Sequence, residues 1–180
     1  MPATLQTERL QLRQFAEADL DGLASIYADP EVMRHLGDGH AVGRADSWRA
    51  IAGMLGHWRL RGYGMYAVEE RVTGALLGRV GLLNPEGWPG LEVGWTLGRQ
   101  HWGRGYATEA ATAVLDQTFG RLRVPRVISL IYAENAPSIR LAERLGERLM
   151  RETAMHGRRV LVYGIDRVDW PARRPRLSRS

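Results

Sequence analysis

The chain has 180 residues, 44% hydrophobic and 25% charged, the make-up of one soluble globular domain long enough to bury a core. It has no cysteine, which excludes disulfides, thiolate metal sites and a cysteine acyl-enzyme. All 25 basic residues are arginine and the net charge is +5, which favours anionic ligands by steering, although so complete a replacement of lysine reads first as a coding bias. No N-terminal apolar run could act as a signal peptide and no stretch could span a bilayer, so a cytoplasmic protein without membrane contact is expected.

In chain order, residues 9–15 (RLQLRQF) alternate apolar and polar and predict a first strand. Acidic residues 17 and 19 open a helix reaching about Tyr27, and Asp29-Pro30-Glu31 caps a second, short helix with Val32, Met33 and Leu36. Residues 37–43 read as a flexible connection. A third helix over 45–61 places Trp48, Ile51, Leu55 and Trp58 on one face. Residues 63–70 and 76–83 predict a hairpin, followed by a loop over 84–90 (NPEGWPG). A buried strand over 91–97, a polar turn over 98–105 and an alanine-rich helix over 107–118 come next. Residues 126–132 predict another buried strand, 136–145 a helix stopped by Gly146, and 147–155 with 158–169 a last hairpin. Residues 1–170 form one domain, and the arginine-rich stretch 171–180 is expected to be disordered, since almost nothing from Trp170 onward can be buried.

The segment 91–113 organises the rest. A strand, a glycine-bearing turn and a helix start make an anion site, because the first N–H groups of a helix have no internal partner and carry the positive end of its dipole. Gly103 and Gly105 let a phosphate approach the main chain, and Arg99 and Arg104 add charge at the rim. GxxxxGK[ST] is absent, and GxGxxG fails because Thr108 stands where its third glycine would. What is present is Gln-x-x-Gly-x-Gly, made by Gln100, Gly103 and Gly105 and followed by Tyr106, Ala107 and Thr108. Further along stands Asn135-Ala136-Pro137-Ser138, trailed by Glu143-Arg144-Leu145-Gly146.

The first pattern resembles motif A of the GCN5-related N-acetyltransferases (GNAT), and WGRGYATEA is most similar to the ribosomal-protein N-terminal acetyltransferase (RimJ/RimL-like) branch. The second resembles that superfamily's Asn-x-x-Ser stretch and trailing Glu-Lys-Leu-Gly, with Arg144 for the lysine and Glu147 where an aromatic follows the glycine. The resemblance implies an α/β fold: a mixed, mostly antiparallel sheet splayed between its fourth and fifth strands, with helices on both faces. It implies acetyl-coenzyme A as cosubstrate, its pyrophosphate on the amides of Gly103 to Thr108 and its pantetheine arm along Thr96 and Leu97. Asn135 holds the arm from the opposite strand and Arg144 reaches a phosphate, unless Arg144 only joins a solvated row with Arg140 and Arg148. A main-chain N–H near Leu97 polarises the thioester carbonyl.

Ser138 is either a cap-like residue at its helix start or, as in that branch, the group that protonates the departing thiolate. Transfer to an amine requires a general base or a water chain. Glu92 is one candidate, a carboxylate in a buried strand where desolvation raises its pKa, against the alternative of a strand-end acid paired with an arginine. Glu152 on the strand after the Asn-x-x-Ser helix is a second, and His156 at a hairpin tip a third. Trp48, Trp58, Tyr63 and Tyr66 line the acceptor pocket or belong to the core. The other histidines lack ligand spacing, so no metal is expected.

The expected reaction is direct acetyl transfer in a ternary complex to a primary amine, foremost a protein or peptide N-terminus. The rivals are a small amine (antibiotic, polyamine or amino acid), a coenzyme A-binding relative without activity, and a ribosome- or RNA-binding module suggested by the basic charge. No motif with interleaved aromatics supports nucleic acid as a partner. A monomer or homodimer is expected.

Overall fold

An eight-stranded sheet runs through the computed structural model, which describes residues 1–175. Its strands are β1 (Thr4–Gln6), β2 (Leu10–Arg13), β3 (Met65–Glu70), β4 (Leu76–Leu83), β5 (Glu92–Leu97), β6 (Arg126–Tyr132), β7 (Arg148–Met155) and β8 (Arg158–Asp166). Spatial order is β1-β2-β3-β4-β5-β6-β8-β7, antiparallel throughout except for the parallel pair β5–β6. That pair is in register only at Glu92 and Ile128, after which the strands diverge. The splay therefore lies between the strands read as fourth and fifth. They are numbered one higher because a three-residue β1, too short to show periodicity, precedes them and buries Leu5.

Helices cover both faces. On one, α1 (Leu20–Tyr27), α2 (Pro30–Met33) and α3 (Arg44–Arg61) pack Leu23, Ile26, Met33, Ile51 and Met54 against Met65 and Ala67 of β3. On the other, α4 (Tyr106–Gln117) buries Ala110, Ala111, Val114 and Leu115 against Val93 and Leu97 of β5. The small alanines let α4 lie close to the sheet, which brings its first turn to the end of β5. Next to it, α5 (Ala136–Arg144) buries Leu141 and Ala142 over the β6–β8 half. No helix among the described residues is long and apolar enough to cross a membrane.

Two expectations are corrected. The buried stripe of α3 is Ser47, Ile51, Met54 and Trp58, while Trp48 and Leu55 stay 49% and 36% exposed. Both stripes have helical spacing and share Ile51 and Trp58. The helix is turned toward Ser47, whose hydroxyl donates to Gly43 O and whose small side chain admits a close approach. Trp170–Arg173, expected within a tail with nothing to bury, forms a short helix, α6. Trp170 packs on Phe119 at 5.9 Å and donates its Nε1 hydrogen to Asp116, which also receives the Arg174 fork. Residues 176–180 of the expected tail lie outside the described residues.

Candidate active site

The free edge of β5 begins the site. Its even-numbered residues exchange hydrogen bonds with β4, as the Gly98 N–H to Leu77 O bond marks, so its odd-numbered residues turn theirs toward β6. On that side Leu91 O accepts from Ile128 N–H, Val93 O from Ser129 Oγ at 2.9 Å, and Leu97 O from Trp102 Nε1 at 2.7 Å. By this alternation Trp95 directs its N–H and C=O into the gap where β6 has moved away. The main chain of Thr96 faces β4 instead; its side chain enters the cleft, and its Oγ1 is buried without a partner.

The gap leads to the start of α4. Gly103 and Gly105 adopt φ values of +74° and +79°, the left-handed region where a side chain is strained. Gly105 is the N-cap and offers no side chain to the first turn, leaving the amides of that turn unsatisfied from within. The turn is held from behind. Buried Glu109 accepts from the Thr7 hydroxyl at 2.6 Å and from the Arg9 N–H and guanidinium, while Arg9 also donates to Arg104 O and lies over the Tyr106 ring. These contacts keep the Glu109 carboxyl below the usual range in spite of its burial.

Across the gap, Asn135 caps α5 by accepting from Ser138 N–H at 3.2 Å, and Ser138 Oγ accepts from Trp95 Nε1 at 3.2 Å. Arg144 donates to Thr108 Oγ1 at 3.2 Å, so the end of α5 reaches the first turn of α4. Thr96, Leu97, Gly103, Gly105, Ala107, Thr108, Asn135, Ser138 and Arg144 thus share one cavity of about 630 Å³. Tyr106 also borders it, but its side chain is buried and its hydroxyl donates to Glu70, leaving only its main chain toward the cavity.

A smaller chamber of about 210 Å³ continues from Thr96, Trp95 and Ser138 to Glu92. The Glu92 carboxyl is pushed up to about 7 by burial, against the Trp88 Nε1 donor at 2.6 Å, the Leu130 N–H and the charge of Arg79. Glu147 lies close by, 3% exposed and pushed up to about 8 by burial, with Ser129 opposing and the charge of Glu92 reinforcing the shift. Ser129 Oγ lies 2.9 Å from Val93 O and 3.0 Å from Glu147 Oε1. A hydroxyl has one hydrogen, so with that hydrogen on Val93 O the second bond needs a protonated Glu147 as donor.

Several expected site residues do not join. Gln100 is exposed and folds its side chain over Gly98, and Arg104 is exposed outside the cavity. Arg99 pairs with Asp29 at 3.0 Å. Glu152 stands on β7, forked by Arg159 and held below the ordinary carboxylate range by it, away from both chambers. His156 does border the smaller chamber. None of the four aromatics expected at an acceptor pocket borders either cavity. Trp58 and Tyr66 meet edge-to-face in the core at 4.9 Å, Tyr63 packs on His57, and Trp48 faces outward. The cleft aromatics are Trp88, Trp95, Trp102 and Tyr132. Glu147 and Arg79 went unnoticed as site residues in the sequence; only the acid in the aromatic's place after Gly146 signalled the former. Among the described residues no cluster of His, Asp and Glu could hold a metal ion.

Residues 9–148 match the family model described as an acetyltransferase (GNAT) domain. The uncharacterized N-acetyltransferase p20 of Bacillus licheniformis is 32% identical over 89% of this chain and 93% of that protein. A solved acetyltransferase from Agrobacterium tumefaciens str. C58 is similar with a TM-score of 0.81 and 33% identity, covering 92% of this chain and 94% of that one. Ribosomal-protein-S5-alanine acetyltransferase from Vibrio fischeri shares the fold with a TM-score of 0.74 at 15% identity, covering 94% and 99%. With a splayed β5–β6 pair, an uncapped α4 at its mouth and a match across this same segment, the chain belongs to the GNAT family of acetyl-CoA-dependent N-acetyltransferases.

Proposed function

We propose that the larger cavity holds acetyl-CoA and the smaller chamber receives a primary amine, foremost a protein or peptide N-terminus. The observation that carries this is the continuity of the free β5 edge at Trp95 with the uncapped first turn of α4. The residues fit the cosubstrate: unpartnered Thr96 Oγ1 and the Trp95 main chain suit an amide-bearing arm, and the left-handed glycines with the α4 amides suit a diphosphate. Arg144, beside Thr108, adds a cation there. Acetyl-CoA supplies the acetyl group as an activated thioester.

Glu92, as carboxylate, takes a proton from the incoming ammonium, and its raised pKa matches that task near neutrality. The Leu97 N–H, turned to the open side, polarises the acetyl carbonyl. Ser138 accepts from Trp95 and keeps its own hydrogen to give to the departing sulfur. The new N–C bond forms as the C–S bond breaks, and Ser138 regains its hydrogen from the amine.

A small-molecule amine is the second reading, favoured by the modest 210 Å³ of the chamber. Calorimetry with acetyl-CoA, followed by thiol release with peptides beside small amines, tests both. Absence of acetyl-CoA binding would remove the reading.

A further inference from the structure

Glu92, Gly94 and Thr96 alternate onto one face of β5, and Arg79, opposite Thr96 on β4, directs its side chain to that same face. Between them Gly94 and its partner Gly81 carry no side chains, and the Met65 side chain and the Glu92 carboxylate lie over Gly94. Four residue steps along the strand separate the anchor points at Glu92 and Thr96 by about 13 Å. The smaller chamber thus has an acid at one end and a guanidinium at the other, with Met65 between.

Three arginines around the cleft are in ion pairs, Arg34 with Glu31, Arg99 with Asp29 and Arg158 with Glu134, and Arg144 donates to Thr108. Arg79 has no ion pair among the described residues. Its Nε is buried without a partner, and the Tyr27 ring is near its guanidinium at 5.9 Å. His35 Nδ1 is likewise buried, unpartnered and on the same chamber. Buried donors left unsatisfied are costly, and a guanidinium fork matches a carboxylate bidentately. Arg79 borders the smaller chamber and not the larger one, so its complement belongs to the acceptor rather than to acetyl-CoA.

We propose that the acceptor is a primary amine that also carries a carboxylate, gripped by Arg79 while Glu92 receives the amine. This rests on the acetyl-transfer reading and names its substrate class. The carboxylate comes either from a free amino acid or from an acidic side chain near a peptide's N-terminus.

The test is thiol release from acetyl-CoA by the full chain, with matched pairs of acceptors. One arm sets free amino acids against their carboxamides; the other sets peptides with Asp or Glu near the N-terminus against their Asn or Gln counterparts. At least tenfold higher kcat/KM for the carboxylate member in either arm is expected, and that arm identifies the source. Arg79→Gln brings the ratio toward one by raising KM for the carboxylate member, and Arg79→Lys restores it in part. Acetyl-CoA affinity by calorimetry stays within twofold in both variants and reports that they fold. Equal rates for both members of every pair, or a ratio unchanged in Arg79→Gln, overturns the carboxylate subsite while leaving acetyl transfer intact. If acetyl-CoA binds and no amine of any kind releases thiol, acetyl transfer itself fails, and the subsite with it.

Discussion

The indole Nε1 of Trp95 donates to Ser138 Oγ at 3.2 Å, tying the free edge of β5 to the start of α5 across the gap between them. That bond occupies one lone pair of the hydroxyl and leaves its hydrogen unclaimed. Ser138→Ala removes the hydrogen without disturbing the α5 cap, which Asn135 makes to the main-chain N–H of residue 138. Turnover is expected to fall by about 10²-fold, the low end for loss of one positioned proton donor. Acetyl-CoA affinity by calorimetry should not change. Wild-type turnover in this variant would take Ser138 out of the chemistry.

As the proposed base, Glu92 should set the pH dependence. Burial raises its pKa to about 7, and the base is active only when ionised. The rate with saturating acetyl-CoA should therefore rise about tenfold per pH unit below 7 and level off above it. Glu92→Gln should abolish that limb and lower kcat/KM by about 10²-fold or more. Glu152→Gln should keep the wild-type profile, because that carboxylate is exposed and forked by Arg159. A profile that survives Glu92→Gln would transfer the role to a water chain or to His156.

The α4 turn tolerates little at Gly105. A side chain there is strained at φ +79° by about 1–2 kcal/mol, and its Cβ comes within 3.4 Å of the Arg9 guanidinium. Gly105→Glu also puts a negative charge among the amides proposed to hold a diphosphate. Acetyl-CoA affinity should drop at least a hundredfold while the melting transition remains cooperative. Undiminished affinity by calorimetry would exclude that turn as the anion site.

Glu147 links pH to stability. Burial pushes its folded pKa up to about 8 from the ordinary 4.5, so the folded state holds the extra proton. Its contribution to stability is complete below about pH 4.5 and is lost as pH rises through 8, by several kcal/mol at most. Glu147→Gln keeps the neutral shape and should abolish most of the fall between pH 6 and 9 in thermal melts. The fall that remains belongs to Glu92 and ends near pH 7. An identical fall in both proteins would show that Glu147 does not carry a proton at neutrality.

Much of this protein was legible before folding. Strand alternation, the uncapped glycine turn and the alanine-rich α4 are local properties, encoded within a few residues of one another, and so was the Asn135 cap. Gly103, Gly105, Thr108 and Ser138 reach the cleft because the motifs that name them are also the turns that place them. Arg79 and the β4–β5 face it shares with Glu92 had no such local signal, and Glu147 had only the acid standing in the aromatic's place after Gly146. Their environment comes from strand register and from the depth to which α5 and β6 bury a carboxyl, and both depend on residues far apart in the chain. The same holds for α3, where two stripes with the same helical spacing compete and only packing on the sheet chooses Met54 over Leu55. It holds for Trp170, whose partners Phe119 and Asp116 lie at the end of another helix. Local chemistry determined the Gln-x-x-Gly-x-Gly turn and the helix start behind it; the charge at each end of the smaller chamber was decided by the tertiary fold.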